Sequence, residues 1–115
     1  PVLTEQAMSL SPIDPLQYAV LAVRAMGHLA KGEFEAAMHW SEQAANAPLA
    51  HHLIDLIAMV CSYQAGNLQQ AEFRCERARS RNPTFSRADF YRSLPTQDDR
   101  LIAAVNQAFD GLNIP

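Results

Sequence analysis

Residues 32–37, with the sequence GEFEAA, and residues 66–71, with the sequence GNLQQA, decide the fold. Both stretches begin with a glycine and end with an alanine, and they lie 66 − 32 = 34 positions apart. The same shift places Glu42 on Glu76 and Ala44 on Ala78. A fixed period of this length indicates a helical repeat, whose units bury their apolar faces only against one another.

The residues around these two stretches carry the start and stop signals of helices. Asp14 is a capping residue, and Pro15 after it favours the first helical position. Three residues after each of Asn67, Ser86 and Thr96 there is a side chain that can complete a capping box, so these three residues are predicted to cap helices. No stretch alternates polar and apolar residues for long enough to predict a strand. The predicted helices cover residues 15–31, 34–46, 48–65, 67–82, 86–94 and 97–110.

The chain length of 115 residues predicts one domain built from these helices. Ala7 and Pro12 are five residues apart, as are Ala78 and Pro83. We therefore interpret the first residues as the end of a preceding repeat. The predicted organisation is a repeat end at 1–12, a first full repeat at 15–48, a second at 49–83, and a short helix with a capping helix at 86–115.

Ten residues define the repeat, and each type has a physical role. Glycine lets the chain turn sharply between two helices, and alanine lets those helices approach closely. The large apolar residue after the glycine fills the hairpin. The closing proline opens the next helix, because it has no amide hydrogen to lose there. These residues are Gly32, Phe34, Ala37, Ala44, Pro48, Gly66, Leu68, Ala71, Ala78 and Pro83.

Residues 10–15 (LSPIDP), 32–37, 82–86 (NPTFS) and 109–112 (FDGL) together resemble the tetratricopeptide region of certain bacterial signalling proteins. Those proteins place the repeats behind an adenylate/guanylate cyclase domain or a winged-helix DNA-binding domain. The resemblance implies an all-α fold, an α-solenoid of antiparallel helix hairpins with C-terminal capping helices. Three residues depart from the repeat pattern: His28 and Ser62 replace a usual tyrosine, and Met59 replaces a small residue.

The first and third predicted helices are apolar almost all round, which predicts that they are covered on every side. In the repeat register, their inner faces would form a concave groove too large and apolar to stay open to water. We predict that a protein or peptide partner binds this groove. The alternative is self-association, in which the repeats dimerise an upstream cyclase or DNA-binding domain. A further alternative is that the chain's own last helix folds back and closes the groove. The predicted groove residues are Ala22, Met26, Leu29, Leu53, Leu56, Val60 and Tyr63.

Composition argues against several other partners. The net charge of −3 gives no general attraction to nucleic acid or to an anionic membrane. The most apolar run, residues 53–61, contains Asp55 and is far too short to cross a bilayer. Cys61 and Cys75 fall on helix patterns, and we expect two buried thiols in a reducing, cytoplasmic setting.

No motif indicates catalysis. His51, His52 and Asp55 could contact a divalent metal from the start of the third helix, but a further strong ligand is missing nearby. Exposed polar residues at a helix start are the simpler interpretation. The arginines between residues 74 and 100 are interleaved with acids, so a solvated surface is favoured over a nucleic-acid patch. We expect no enzyme activity, no cofactor, no metal and no small-molecule substrate.

Overall fold

Helices account for most of the residues that the structure describes. The computed structural model describes residues 15–47 and 50–115, and these residues contain six helices and no β-strand. The all-α prediction is therefore confirmed there, whereas the predicted repeat end at 1–12 and Pro48 lie outside the described residues. No helix in this part of the chain is long and apolar enough to cross a bilayer. The helices are α1 (Pro15–Ala30), α2 (Phe34–Ala45), α3 (His52–Gln64), α4 (Leu68–Arg81), α5 (Arg87–Ser93) and α6 (Asp99–Gly111).

Two helical hairpins form the body of the fold: α1 packs on α2, and α3 packs on α4. A short turn joins the helices of each pair, with Gly32 at φ 77° and Gly66 at φ 84°. A residue with a Cβ is strained at such angles, which accounts for a glycine at each of the two turns. Each turn contains an equivalent backbone hydrogen bond of 2.9 Å: Glu33 N donates to His28 O in the first, and Asn67 N donates to Ser62 O in the second.

α3 begins at His52, four residues after the predicted start at Pro48. His51 is its capping residue: its backbone is extended, and its Nδ1 accepts a hydrogen bond of 3.1 Å from Leu53 N. A side-chain acceptor there satisfies an amide that the first helical turn leaves free. The prediction placed the start too early because it relied on proline as the opening residue.

The C-terminal helices are capped by side chains. Ser86 and Asp89 form the predicted capping box at the start of α5. At α6, however, the predicted cap Thr96 is replaced by Asp98, whose Oδ1 accepts hydrogen bonds from the amides of Arg100 and Leu101 at 2.9 and 3.0 Å. The Thr96 hydroxyl instead accepts a hydrogen bond from Asp98 N at 3.1 Å and so holds the capping residue in place.

The repeat-defining residues have unequal roles in packing. Phe34 is half-buried against the core, but Leu68 is 54% exposed and does not fill its hairpin. Pro83 lies exposed in a turn and does not open a helix, since Ser86 caps α5. Four repeat alanines have no exposed surface, as close contact between helices requires: Ala37, Ala44, Ala71 and Ala78.

Gly111, the last residue of α6, lies against the ring of Tyr63 at the end of α3. A Cβ at position 111 would overlap the ring carbons of Tyr63. Gly111→Ala is therefore expected to lower the free energy of unfolding by about 1–3 kcal/mol, the usual cost of overpacking. The higher helix propensity of alanine, worth about 1 kcal/mol, offsets only part of this loss.

Urea denaturation of four proteins measures the effect: the unaltered chain, Gly111→Ala, Tyr63→Ala and the double variant. In the Tyr63→Ala background, Gly111→Ala should become neutral or stabilising, because the ring is gone. An equal loss in both backgrounds would show that α6 does not pack on Tyr63.

Candidate functional site: an occupied groove, an open helix face and a buried charge network

The predicted groove is filled by the last helix of the chain, because α6 packs across both α1 and α3. Residues Leu56 and Val60 share the side of α3 that carries Tyr63, the residue against Gly111 of α6. Four of the seven groove residues are buried: Ala22, Leu29, Leu56 and Val60. The other three are half-buried against the core: Met26, Leu53 and Tyr63. As the chain is folded here, a partner cannot reach the buried four, and partner binding at the groove stays a prediction.

α6 presents an apolar stripe to this groove and is fixed by polar contacts at its edges. Leu101, Val105 and Phe109 recur at helical spacing and are buried. At one edge, Gln64 Nε2 of α3 donates to Ala104 O at 3.0 Å and to the side-chain oxygen of Gln107 at 3.1 Å. The groove therefore accepts an amphipathic helix that belongs to neither hairpin.

Contacts from α5 fix the opposite edge of α6. The Tyr91 hydroxyl donates to Asn106 Oδ1 at 3.0 Å. Arg87 forms an ion pair of 2.6 Å with Asp110 and also donates to the carbonyl of Ile114 at 3.0 Å. These contacts tie the chain's last residues to α5 as well as to the hairpins.

One face of α1 remains open. Val20 is 65% exposed and Val23 is 71% exposed, the two largest exposures among the large apolar residues that the structure describes. Ala19 and Gly27 of the same helix are also exposed. The Arg24 guanidinium lies 4.5 Å from the centre of the Trp40 ring and forms a cation–π contact with it. Arg24 is thereby held at the edge of this exposed face of α1. We refer to Ala19, Val20, Val23 and Gly27 as the open face of α1.

A charge network is buried where α2, α3 and α4 meet. Asp55 of α3 is 1% exposed and Arg74 of α4 is 2% exposed, and they form an ion pair of 3.1 Å. Arg74 also binds Glu42 of α2 through two hydrogen bonds, of 2.6 and 2.9 Å. Burial lowers the pKa of Arg74, but the hydrogen bonds and charges of Glu42 and Asp55 outweigh this effect and raise it. Arg74 therefore stays charged and links three helices.

Further polar groups surround this pair. Asn46 accepts a hydrogen bond of 2.9 Å from Arg74, and Gln70 donates one of 2.7 Å to Glu42. Arg77 and Arg81 each lie 3.6 Å from a carboxylate oxygen of Asp55. The sequence interpretation of Asp55 as an exposed residue, and of Arg74 as part of a solvated face, is therefore wrong. An acid inside the apolar run 53–61 was the available signal, but its arginine partner lies 74 − 55 = 19 residues away.

The metal alternative gains no support from the geometry of α3. The rings of His51 and His52 lie 4.1 Å apart, and Asp55 is turned toward the arginines of α4. Burial is the main cause that lowers the pKa of His52. Among the described residues, no three His, Cys, Asp or Glu side chains are grouped to hold a metal ion.

Both cysteines are free and buried, as predicted. Burial raises the pKa of Cys61 to about 12 from its ordinary value of 9.0, and the neighbouring Ser41 of α2 offsets only part of this rise. Burial also raises the pKa of Cys75. Since the thiolate is the reactive form, neither cysteine is placed to act as a nucleophile.

Comparisons with known proteins give this chain no relative. No protein-family model matches the sequence, and neither the curated proteins nor the solved structures contain a significant match. The class defined by fold and site is thus an all-α protein of two helical hairpins closed by a C-terminal helix.

Proposed function

We propose that this chain is a tetratricopeptide-like interaction module, without catalytic activity, that binds an amphipathic helix of a partner protein across the inner faces of α1 and α3. The observation that carries the proposal is the position of α6, which lies in the groove as such a ligand would. The chain's own helix then competes with the partner for one surface. Helix-in-groove binding of this kind uses apolar anchors at helical spacing, as Leu101, Val105 and Phe109 of α6 are spaced.

The proposed setting is a bacterial signalling or regulatory protein, in which the hairpins form a short α-solenoid. The 34-residue period and the two matching glycine turns support this interpretation. The two buried free thiols suit a reducing, cytoplasmic environment. Self-association of the chain is the alternative, and light scattering over a range of concentrations separates a stable dimer from a monomer.

A labelled peptide with the sequence of residues 97–113 tests whether the groove binds a helix in trans. We expect weak binding to the unaltered chain, where α6 occupies the groove at high effective concentration. Val105→Asp puts a charge on the buried stripe of α6 and should release it, so the peptide should bind this variant at least about tenfold more tightly.

Ala103→Glu is the matched control, because Ala103 lies on the same helix but is exposed. Circular dichroism checks that Val105→Asp keeps its helix content, and Gly111→Ala offers a milder release of α6. Equal peptide affinity for the unaltered chain, Val105→Asp and Gly111→Ala would contradict a helix-binding groove.

A further inference from the structure

A cavity of about 310 Å³ lies where the turn between α1 and α2 faces the end of α3 and the side of α6. This volume is at the lower end of the range of about 300–1,000 Å³ that is usual for small-molecule sites. Much of the lining is apolar: Leu29 and Ala104 are buried, and Phe34 is half-buried. Ala30 and Ala103 extend this apolar surface from α1 and α6. The cavity can therefore accept a compact apolar group.

Two cations, Lys31 and Arg100, line the same cavity. Of the chain's nine lysine and arginine residues, the other 9 − 2 = 7 are arginines that each contact an acidic or aromatic side chain. Lys31 and Arg100 form no such contact with any residue that the structure describes. The two cations without a partner in this part of the chain therefore meet at one apolar cavity.

The acids closest in sequence to these cations have other roles. Glu33 is paired with His28, 2.8 Å from its Nδ1. The Asp98 carboxylate caps α6 by accepting hydrogen bonds from the amides of Arg100 and Leu101. No acid is among the described residues that line the cavity. The charge of the lining is therefore positive.

Helix stability accounts for one of these cations but not for the other. Lys31 follows the last residue of α1, where the negative end of the helix dipole favours a cation. Arg100 lies in the first turn of α6, two residues after the cap Asp98, where the positive end of the dipole disfavours one. An anion in the cavity would give Arg100 a partner that its own helix does not provide.

A carboxamide adds a neutral donor beside the cations. Gln64 Nε2 donates to the side-chain oxygen of Gln107 at 3.1 Å, and both residues line the cavity. Because this contact uses the oxygen of Gln107, its Nε2 remains as a donor. Lys31, Arg100 and Gln107 thus all present hydrogen-bond donors, which a carboxylate, an acceptor at both oxygens, can satisfy together.

We propose that this cavity binds a small organic carboxylate with an apolar body, such as an aryl or alkyl carboxylic acid. The carboxylate binds Lys31 and Arg100 and accepts a hydrogen bond from Gln107, while the apolar body packs against Phe34 and Ala103. Inorganic phosphate would satisfy the cations but would leave the apolar lining in contact with water. The described lining contains no acid, histidine or cysteine, so the ligand is bound without being converted.

This site is separate from the helix-binding groove and does not depend on a partner protein. The cavity is at the opposite end of α1 from Pro15, about 24 Å along a helix of 16 residues. A bound carboxylate would connect the turn between α1 and α2 to α6, because each contributes one of the two cations. Ligand binding should therefore raise the melting temperature of the chain.

Isothermal titration calorimetry of the full chain with naphthoate tests the site. We expect a dissociation constant of roughly 0.1–1 mM, as is usual for a ligand with so few atoms. Naphthamide has the same apolar frame without the charge, and acetate has the charge without the frame. Each should bind at least about tenfold more weakly than naphthoate.

Three variants locate the binding site. Arg100→Met removes a charge but keeps an apolar stem, and it should weaken naphthoate binding at least about tenfold. Arg92→Met is the matched control on α5, where the exposed Arg92 does not line the cavity, and it should leave the affinity unchanged. Ala103→Glu places a carboxylate in the cavity itself and should abolish naphthoate binding. Thermal melts check that all three variants fold.

Any other result overturns the proposal. No binding of naphthoate, or equal affinity for the Arg100→Met and Arg92→Met variants, would mean that the cavity is not the site. Equal affinity for naphthamide would show that the cations do not select a charge, and equal affinity for acetate would leave a simple anion site. Residues 1–14 contain two acids, Glu5 and Asp14. If naphthoate bound only after Glu5→Gln and Asp14→Asn, the chain's own carboxylate would be the ligand.

Discussion

Replacing Arg74 by methionine is expected to lower the free energy of unfolding by about 3–5 kcal/mol, because the change leaves Asp55 charged and buried without its closest partner. Methionine preserves most of the apolar stem of arginine, so the loss is mainly electrostatic. Arg77 and Arg81 cannot fully replace the missing guanidinium, since each is 3.6 Å from the carboxylate and more exposed to water. Urea denaturation measures the change.

Arg92→Met is the matched control, because Arg92 is an exposed arginine that pairs with Asp89 three residues earlier on α5. Exposed pairs of this kind contribute about 0–1 kcal/mol. The double variant Arg74→Met with Asp55→Leu should recover part of the lost stability, as replacing a whole buried pair by apolar residues often does. Equal losses for Arg74→Met and Arg92→Met would show that the network does not hold α2, α3 and α4 together.

The parts of the fold that could be predicted from the sequence are those that depend on local chemistry. The glycines at 32 and 66 are needed for backbone conformation, and the capping box at Ser86 depends on residues three positions apart. Four buried alanines also follow from the repeat, since a small residue at a recurring position indicates close helix contact. Leu68 occupies the same repeat position as Phe34 but is exposed, so register alone does not determine burial.

The candidate site was less predictable, because its contacts join residues distant in sequence. The pairing of Asp55 with Arg74 depends on how two hairpin helices rotate about their axes. The apolar character of α1 and α3 indicates surfaces that must be covered, which is true of the groove but not of Val20 and Val23 of α1, which are exposed. It does not say which helix covers the groove, because α6 and a partner helix offer the same kind of apolar stripe. The open face of α1 is recognised only by comparing the exposed fraction of Val23 with that of Ile57, which occupies the same repeat position in α3.

Leu56→Glu is expected to unfold most of the chain, and this result would place the groove in the hydrophobic core. Leu56 lies on α3, and its side chain is only 1% exposed because other helices pack on α3. The substitution gives up about 1.5–3 kcal/mol of side-chain burial and places an unpaired carboxylate in a site without water. An isolated buried charge adds several kcal/mol more. The sum approaches the whole stability of a typical domain, about 5–15 kcal/mol.

Tyr63→Glu should be milder, since Tyr63 is half-buried at the edge of the groove and a carboxylate there can reach water. Leu68→Glu is the matched control at an exposed leucine and should change stability by no more than about 0.5 kcal/mol. Circular dichroism melts and urea denaturation separate the three variants. If Leu56→Glu kept its helix content and melting temperature, α6 would have to leave the groove readily. Leu56 would then line a surface that alternates between the chain's own helix and a partner. Loss of folding would instead show that Leu56 belongs to the hydrophobic core and is not available to a partner while α6 is in place.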